Sequence, residues 1–226
     1  MPDIEWCDVR EGTVVATERR EERSVARFRL AKYPVTWAQY DVFVRAKDGY
    51  GNNAWWEGLG THPENAGTQI QRYVNHPAEN LSWVDATAYC RWLTSHLGYE
   101  VRLPTQWEWQ LAATGGDPGC PYPWGEWELG RANTREHELN RTTAVGVFPQ
   151  GAAPCGALDI CGNVWEWCSD GQDIFPPDGN CPYGYRAVRG GSWNFGHETA
   201  KADVPNVECG AYRFNSIGFR IVAAIA

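Results

Sequence analysis

The 226-residue sequence contains one methionine and five histidines, and no apolar run approaches the roughly 20 residues a membrane-crossing helix needs. A membrane span is therefore not expected. Positive charge is also in deficit, with 20 Lys and Arg against 28 Asp and Glu, for a net charge of −8. Nucleic-acid binding depends on basic groups that displace counterions from phosphates, so nucleic acid is excluded as an expected partner. The acidity serves solubility instead. Cysteines at 7, 90, 120, 155, 161, 168, 181 and 209 include no CxxC pair and no Cys/His spacing of the zinc type. None of the histidines at 62, 76, 96, 137 and 197 has a Ser or Cys at a spacing that points to a hydrolase. The first residues lack the apolar core of a secretory leader, which makes a cytoplasmic location the default and export the alternative.

Aromatic residues and chain breakers are what the sequence has in plenty. Thirteen Trp, ten Tyr and seven Phe supply a large apolar inventory, while 24 Gly and 14 Pro interrupt the chain too often for a helical bundle. With no visible linker, the expectation is one loop-rich α+β domain over 1–226. Three helices carry capping signals: Thr36 with Gln39, Ser82 with Asp85, and Thr105 with Glu108. Gly98 and the Gly115-Gly116 pair provide stops for the second and third. TVVA and ARFRL read as strands around the charged run ERREER, taken as a solvated hairpin or loop. Residues 50–80 read as a long loop with an exposed Trp55-Trp56 pair. In the C-terminal hundred residues the strand candidates are 187–193 and 219–222. Cys90 and Cys168 read as small buried hydrophobes, and pairs such as Cys120 with Cys155 or Cys181 are disulfide candidates if the protein is exported.

One stretch stands apart. RGGSW (189–193) and IGFR (217–220) look like frame, whereas the residues between them show neither helical nor strand period and mix side-chain types freely. Loops on a rigid frame are where recognition residues gather. The candidate surface is 194–216, with Phe195, Gly196, His197, Glu198, Val204, Val207, Glu208, Cys209, Tyr212, Phe214 and Ser216 as its residues. Phe195, Tyr212 and Phe214 would supply contact area at low rotamer cost, as aromatics do in antibody paratopes.

Several phrases occur in a fixed order: YPVTWAQY, LSWVDATAYCRWL, RLPTQWEWQLAATGG, YPWG, ANTRE, RTTAVG, GALDICGNVWEWCSD, RGGSW and IGFR. Together they resemble the formylglycine-generating enzyme, or sulfatase-modifying factor, family. That resemblance implies a C-type-lectin-like fold of the formylglycine-generating-enzyme type, with about three helices and short twisted sheets. Enzymes of the family oxidise a substrate cysteine through two copper-binding cysteines shortly after RGGSW, and the matching positions here are Phe195 and Ala200. Neither can supply the soft thiolate that Cu(I) requires, so copper and oxidase activity are not expected. The family's sulfoxide synthases also carry an iron site on an N-terminal helical domain, which has no counterpart in these residues.

A second branch of the family is similar in another way. In the variable proteins of diversity-generating retroelements, a repeat bounded by RGGSW and IGFR is rewritten at adenines. Most residues of 194–216 are reachable from the AAC codons such templates favour; Glu198, Lys201 and Glu208 are not, and would be invariant or come from other codons. This likeness implies a non-catalytic receptor for a macromolecule, protein above all. The alternatives are a divergent oxidoreductase acting through Cys209 and a calcium-dependent carbohydrate-binding lectin. The family also implies structural calcium within LDICGNVWEW. Asp159 and Glu166 side chains with the carbonyls of Gly162 and Val164 would supply hard oxygens, and Asn133, Thr134 and Glu136 a second site. The competing reading is that Asn163 and Glu166 simply hydrogen-bond the loop closed.

Overall fold

The computed structural model describes residues 3–16, 21–60, 62–71, 73–171, 181 and 183–224. Its helices start where the capping residues place them. Thr36 Oγ1 accepts from the Gln39 amide while the Gln39 side chain accepts from the Thr36 amide, opening α1 (Trp37–Arg45). The same reciprocal box opens α2 (Trp83–Leu97) through Ser82 and Asp85, and α3 (Gln106–Thr114) through Thr105 and Glu108. Each box satisfies amides that would have no partner in a first turn. Gly98 and Gly115 end α2 and α3 in left-handed conformations, with φ of 74° and 64°.

Strands β1 (Trp6–Val9), β2 (Gly12–Ala16), β3 (Glu21–Val25) and β4 (Phe28–Ala31) precede α1. Between α2 and α3 lies the short β5 (Val101–Arg102). The second half contributes β6 (Trp165–Gly171), β7 (Tyr185–Arg189), β8 (Asn206–Cys209), β9 (Ile217–Phe219) and β10 (Val222–Ala223). Among the described residues they form a sheet in the order β1-β4-β10-β5, the hairpin β2-β3, and a sheet in the order β8-β7-β6-β9. Because β10 pairs with β4 and with β5, the end of the chain is built into the sheet that its beginning started.

The charged run bears out the hairpin alternative, with Glu21, Glu22 and Arg23 exposed in β3 and paired with β2, while Glu18, Arg19 and Arg20 fall outside the described residues. An exposed two-stranded ribbon needs no apolar face where it meets water, so a charged run can be strand. Other expectations need correction. Trp56 is buried rather than displayed, since its indole donates to the Tyr50 carbonyl at 3.0 Å inside the core. β6, a central strand of its sheet, was not anticipated. Its run of Trp165, Glu166, Trp167 and Cys168 is buried throughout, as expected of a strand covered on both faces, and its polar residue, Glu166, reads from sequence as a cation ligand. Cys90 and Cys168 are buried, as read.

Two apolar clusters flank these sheets. One joins Tyr40 and Phe43 of α1, Tyr89 and Trp92 of α2, and Phe219 of β9, with ring centroids 5.4–6.3 Å apart. The other lies beneath α3 and includes Phe28, Leu30, Trp109, Leu111, Ile160 and Val222. Where β9 leads into β10, Arg220 is fully buried and forked onto the equally buried Glu166, with Nη2 to Oε1 at 2.8 Å and Nε to Oε2 at 2.9 Å. Its remaining donors reach the carbonyls of Ala31, Lys32 and Leu158 at 2.8–3.0 Å, and the Trp109 indole donates to Glu166 Oε2 at 2.8 Å. Removing one charge of such a pair leaves the other buried and uncompensated, at a cost of about 3–5 kcal/mol. Equilibrium urea unfolding should show a loss of that size for Glu166→Gln. Arg23→Ala, which breaks the exposed Arg23–Glu21 pair, should stay within about 1 kcal/mol. Equal losses would contradict the placement of Arg220.

Candidate functional site

The segment 194–216 is pinned by contacts that leave no room for side chains at its ends. Gly190 (φ 95°) lies so close to the Ile160 carbonyl that an added Cβ would stand 2.7 Å from the oxygen, and one on Gly191 (φ 70°) would stand 2.9 Å from Ala200. One on Gly218 would meet the Ala78 carbonyl at 2.5 Å. Arg189 Nη2 donates to the Ala202 carbonyl at 2.8 Å and to Gln110 Oε1 at 3.0 Å, fastening the segment to α3. Further along, Arg213 grips the buried Asp85 with Nε and Nη2, each at 2.8 Å, and the Tyr50 hydroxyl donates to the same carboxylate at 3.1 Å. The two ends meet where the Trp193 indole donates to the Asn215 carbonyl at 3.3 Å. The frame-like character of RGGSW and IGFR thus has a steric cause in their glycines and an electrostatic one in their arginines.

Upon this frame the expected residues divide. Phe195, Tyr212 and Phe214 are 41%, 50% and 40% exposed, far more than the aromatics of the core. Tyr212 and Phe214 meet edge to face at 6.1 Å, and Phe195 stands edge to face on Trp165 at 5.9 Å. Trp165 in turn donates its amide to the Ser216 carbonyl at 2.8 Å, so it lies between Phe195 and the 212–216 turn. Glu198 is exposed and paired with Lys201; Gly196, Val204, Val207 and Glu208 are half-buried, the last two in β8. His197 is held in place: its ring stacks on Trp127 at 4.7 Å, its Nδ1 is 2.8 Å from the Tyr122 hydroxyl, and its amide donates to Glu136 Oε1.

Cys209 and Ser216 do not belong to the surface. Cys209 is buried and bonded to Cys181, a pairing that replaces the anticipated ones of Cys120. Register explains this, since Cys209 lies opposite Tyr185 at the end of the β7-β8 ladder, where its side chain turns inward. Ser216 is buried because the next residue, Ile217, pairs with Trp165. The segment is also less irregular than its composition suggests, for it contains β8 at a sheet edge and a 3-10 turn at His197–Ala200. Sequence reading overlooked Arg213. The alternation of Tyr212 out, Arg213 in and Phe214 out was the available signal, but the carboxylate that gives it meaning sits on α2.

Phe195 and Ala200 occupy the positions matched to the copper ligands. Ala200 is fully buried against Gly191, and neither residue offers a thiol. Cys209, the alternative redox candidate, is held in its disulfide.

For calcium the expected donors fit only in part. Both Glu166 oxygens are taken by Arg220, whose positive charge opposes a cation at that carboxylate. Glu136 accepts from His197 and Thr134, and the carbonyls of Gly162 and Thr134 accept from Val164 and His137. Asn163 closes the loop: its side chain bonds Thr143 through both polar atoms, and its amide donates to the Asn133 carbonyl. Of the expected side-chain donors two remain. Asn133 Oδ1 is buried with no hydrogen-bond partner, and Asp159 is buried with the Gly146 amide donating to it. Among the described residues no three His, Cys, Asp or Glu side chains group as metal ligands.

The architecture is that of a C-type-lectin-like α+β domain carrying a pinned surface segment between two glycine-containing motifs. The sulfatase-modifying factor enzyme 1-like domain matches residues 7–225, and the chain belongs to that family. It is 36% identical over 166 residues to the formylglycine-generating enzyme of Streptomyces coelicolor, covering 62% of this chain and 50% of that protein. It is 33% identical over 153 residues to the inactive C-alpha-formylglycine-generating enzyme 2 of Bos taurus, covering 62% and 47%. The family therefore includes active and inactive members, and this chain spans half or less of the length of these relatives. The Treponema denticola variable protein 1 shares the fold, with a TM-score of 0.73 at 18% identity over 97% of this chain and 95% of that one. No helix among the described residues is long and apolar enough to cross a membrane.

Burial raises the Asp159 carboxyl from its ordinary 3.8 to about 6, so the folded chain holds this proton more tightly than the unfolded chain does. Stability from this group is complete below about pH 4 and is lost as pH rises to about 6, by on the order of 2–3 kcal/mol. In metal-free buffer, chemical denaturation should show that slope, and Asp159→Asn should flatten it. An unchanged slope in the variant would assign it to other groups.

Proposed function

We propose that this chain is a non-catalytic receptor in which 194–216 forms the ligand-binding surface, of the kind diversified in the variable proteins of retroelements. The observation that carries this reading is the division of labour within the segment. Its inward residues, Arg213, Cys209 and Ala200, hold the backbone, while Phe195, Tyr212 and Phe214 face solvent. Outward side chains on such a frame can change with little effect on folding, within about 0.5 kcal/mol each when they touch nothing essential. The fold shared with a variable protein supports the reading, as does the lack of thiols at the two copper positions. A broad aromatic surface suits a macromolecular partner, protein in particular, better than a small molecule held in a cavity.

Replacing Phe195, Tyr212 and Phe214 together by Ser should leave the thermal midpoint within a few degrees while abolishing binding to partners selected from a displayed protein library. Arg213→Ala should lower stability by about 3–5 kcal/mol through the stranded Asp85. A triple variant that unfolds would refute the separation of frame from surface. Tight Cu(I) binding with turnover of a cysteine peptide would replace the receptor by an oxidase.

Calcium is proposed as a structural ion with the Asp159 carboxylate as a donor at one site and Asn133 Oδ1 at a second, where it would offset the burial of each. Added calcium should raise the melting temperature and remove the pH slope of Asp159, because a divalent cation favours the ionised carboxylate. No shift on chelation or on calcium addition would eliminate the ion.

A further inference from the structure

A cavity of about 360 Å³ lies between α2 and β5, with Ser169 of β6 also in its wall. That volume falls within the range of sites for small organic ligands. Trp83, Thr87, Cys90, Arg91 and Thr94 recur at three- and four-residue spacing, so a single face of α2 supplies one wall. The other faces of the helix carry Tyr89 and Trp92 into the core. Val101 and Leu103, at β5 and just beyond it, line the cavity from the strand side.

Most polar groups of the wall are already committed. The Trp83 indole donates to the Cys168 carbonyl at 2.9 Å, and the Arg186 guanidinium lies 4.0 Å from its ring centroid. Thr87 Oγ1 donates to the Trp83 carbonyl at 2.8 Å, and Thr94 Oγ1 donates to the Val101 carbonyl at 3.0 Å. Arg102 is forked onto Glu108 at 2.7 and 2.8 Å. Arg91 differs. Its Nη1 donates to the carbonyls of Trp55 and Glu57 at 3.1 and 2.7 Å, which fixes the guanidinium without neutralising it. Among the described residues no carboxylate pairs with Arg91, and its Nε and Nη2 have no hydrogen-bond partner. The one carboxylate of the lining, Glu100, is exposed, where solvent and salt screen it.

The geometry points to a binding site for a small aromatic monocarboxylate, received by Arg91 at its carboxylate and by Trp83, Cys90, Val101 and Leu103 at its ring. A guanidinium offers N–H groups in a planar fork that matches the two oxygens of a carboxylate, and a cation would be repelled by it. The buried Cys90, Val101 and Leu103 with the indole of Trp83 present apolar and π surface to the rest of the ligand. Because the threonine hydroxyls give their protons to carbonyls, Arg91 is the group that sets the ligand's orientation. None of this depends on the receptor reading, since Phe195, Tyr212 and Phe214 do not line the cavity.

The test is isothermal titration calorimetry of the whole chain with 2-naphthoate, beside its uncharged amide, 2-naphthamide. Saturable one-site binding of the acid is expected, with the amide weaker by about tenfold or more. Arg91→Gln should weaken the acid by a similar factor and leave the amide unchanged, a split that a merely structural role for Arg91 would not produce. Thr87→Phe, which fills the cavity from α2, should abolish binding of both, whereas the triple serine variant at Phe195, Tyr212 and Phe214 should bind the acid as the wild type does. Should a variant fail to fold by circular dichroism, the comparison of acid with amide on the wild-type chain decides. The inference is overturned by the absence of saturable binding, by equal affinity for acid and amide, by binding that persists in folded Thr87→Phe, or by binding lost in the folded triple serine variant.

Discussion

The pairing of Arg220 with Glu166 is the constraint on which the rest of this structure depends. A guanidinium and a carboxylate without solvent contact are tolerable only when each finds several partners. Here those partners are Ala31, Lys32, Leu158 and Trp109, from β4, its exit, the loop before β6, and α3. Satisfying this buried pair therefore fixes how three separate parts of the chain meet. The β9-β10 junction is thereby joined to the first strands, to the loop before β6 and to α3 in the folded state.

A second arginine repeats this logic nearer the surface. Arg213 neutralises Asp85, which also caps α2, and so the segment that displays Tyr212 and Phe214 is fastened to the best-defined helix of the chain. The exposed Tyr212 and Phe214 lie directly on either side of the inward Arg213. That spacing lets the outward side chains differ without disturbing the buried ones, as a binding surface that must accommodate different partners requires. Cys209 is turned away from this surface, since its sulfur is bonded to Cys181 at the end of β8.

Much of this was legible in the residues. The three capping boxes marked the helices because a cap is a local hydrogen bond between residues three apart. The glycines of RGGSW and IGFR marked the frame because a left-handed or crowded backbone excludes Cβ. The stretch around GNVWEW was harder to read. Its carboxylates suggested a cation, yet Glu166 faces an arginine 54 positions later, and no local pattern carries that information. β6 escaped notice for a related reason, since its Glu166 read as a cation ligand and not as the buried partner of a distant arginine.

The sequence by itself determined the helices, the glycine-containing frame motifs, the net acidity and the family, since each rests on residues adjacent in the chain, on their order or on composition. Only the tertiary structure decided which charges neutralise one another, which cysteines meet, and which side chains of 194–216 face water. Those outcomes depend on burial and on partners contributed from distant segments, and a carboxylate or thiol takes its chemistry from the neighbours that folding brings to it.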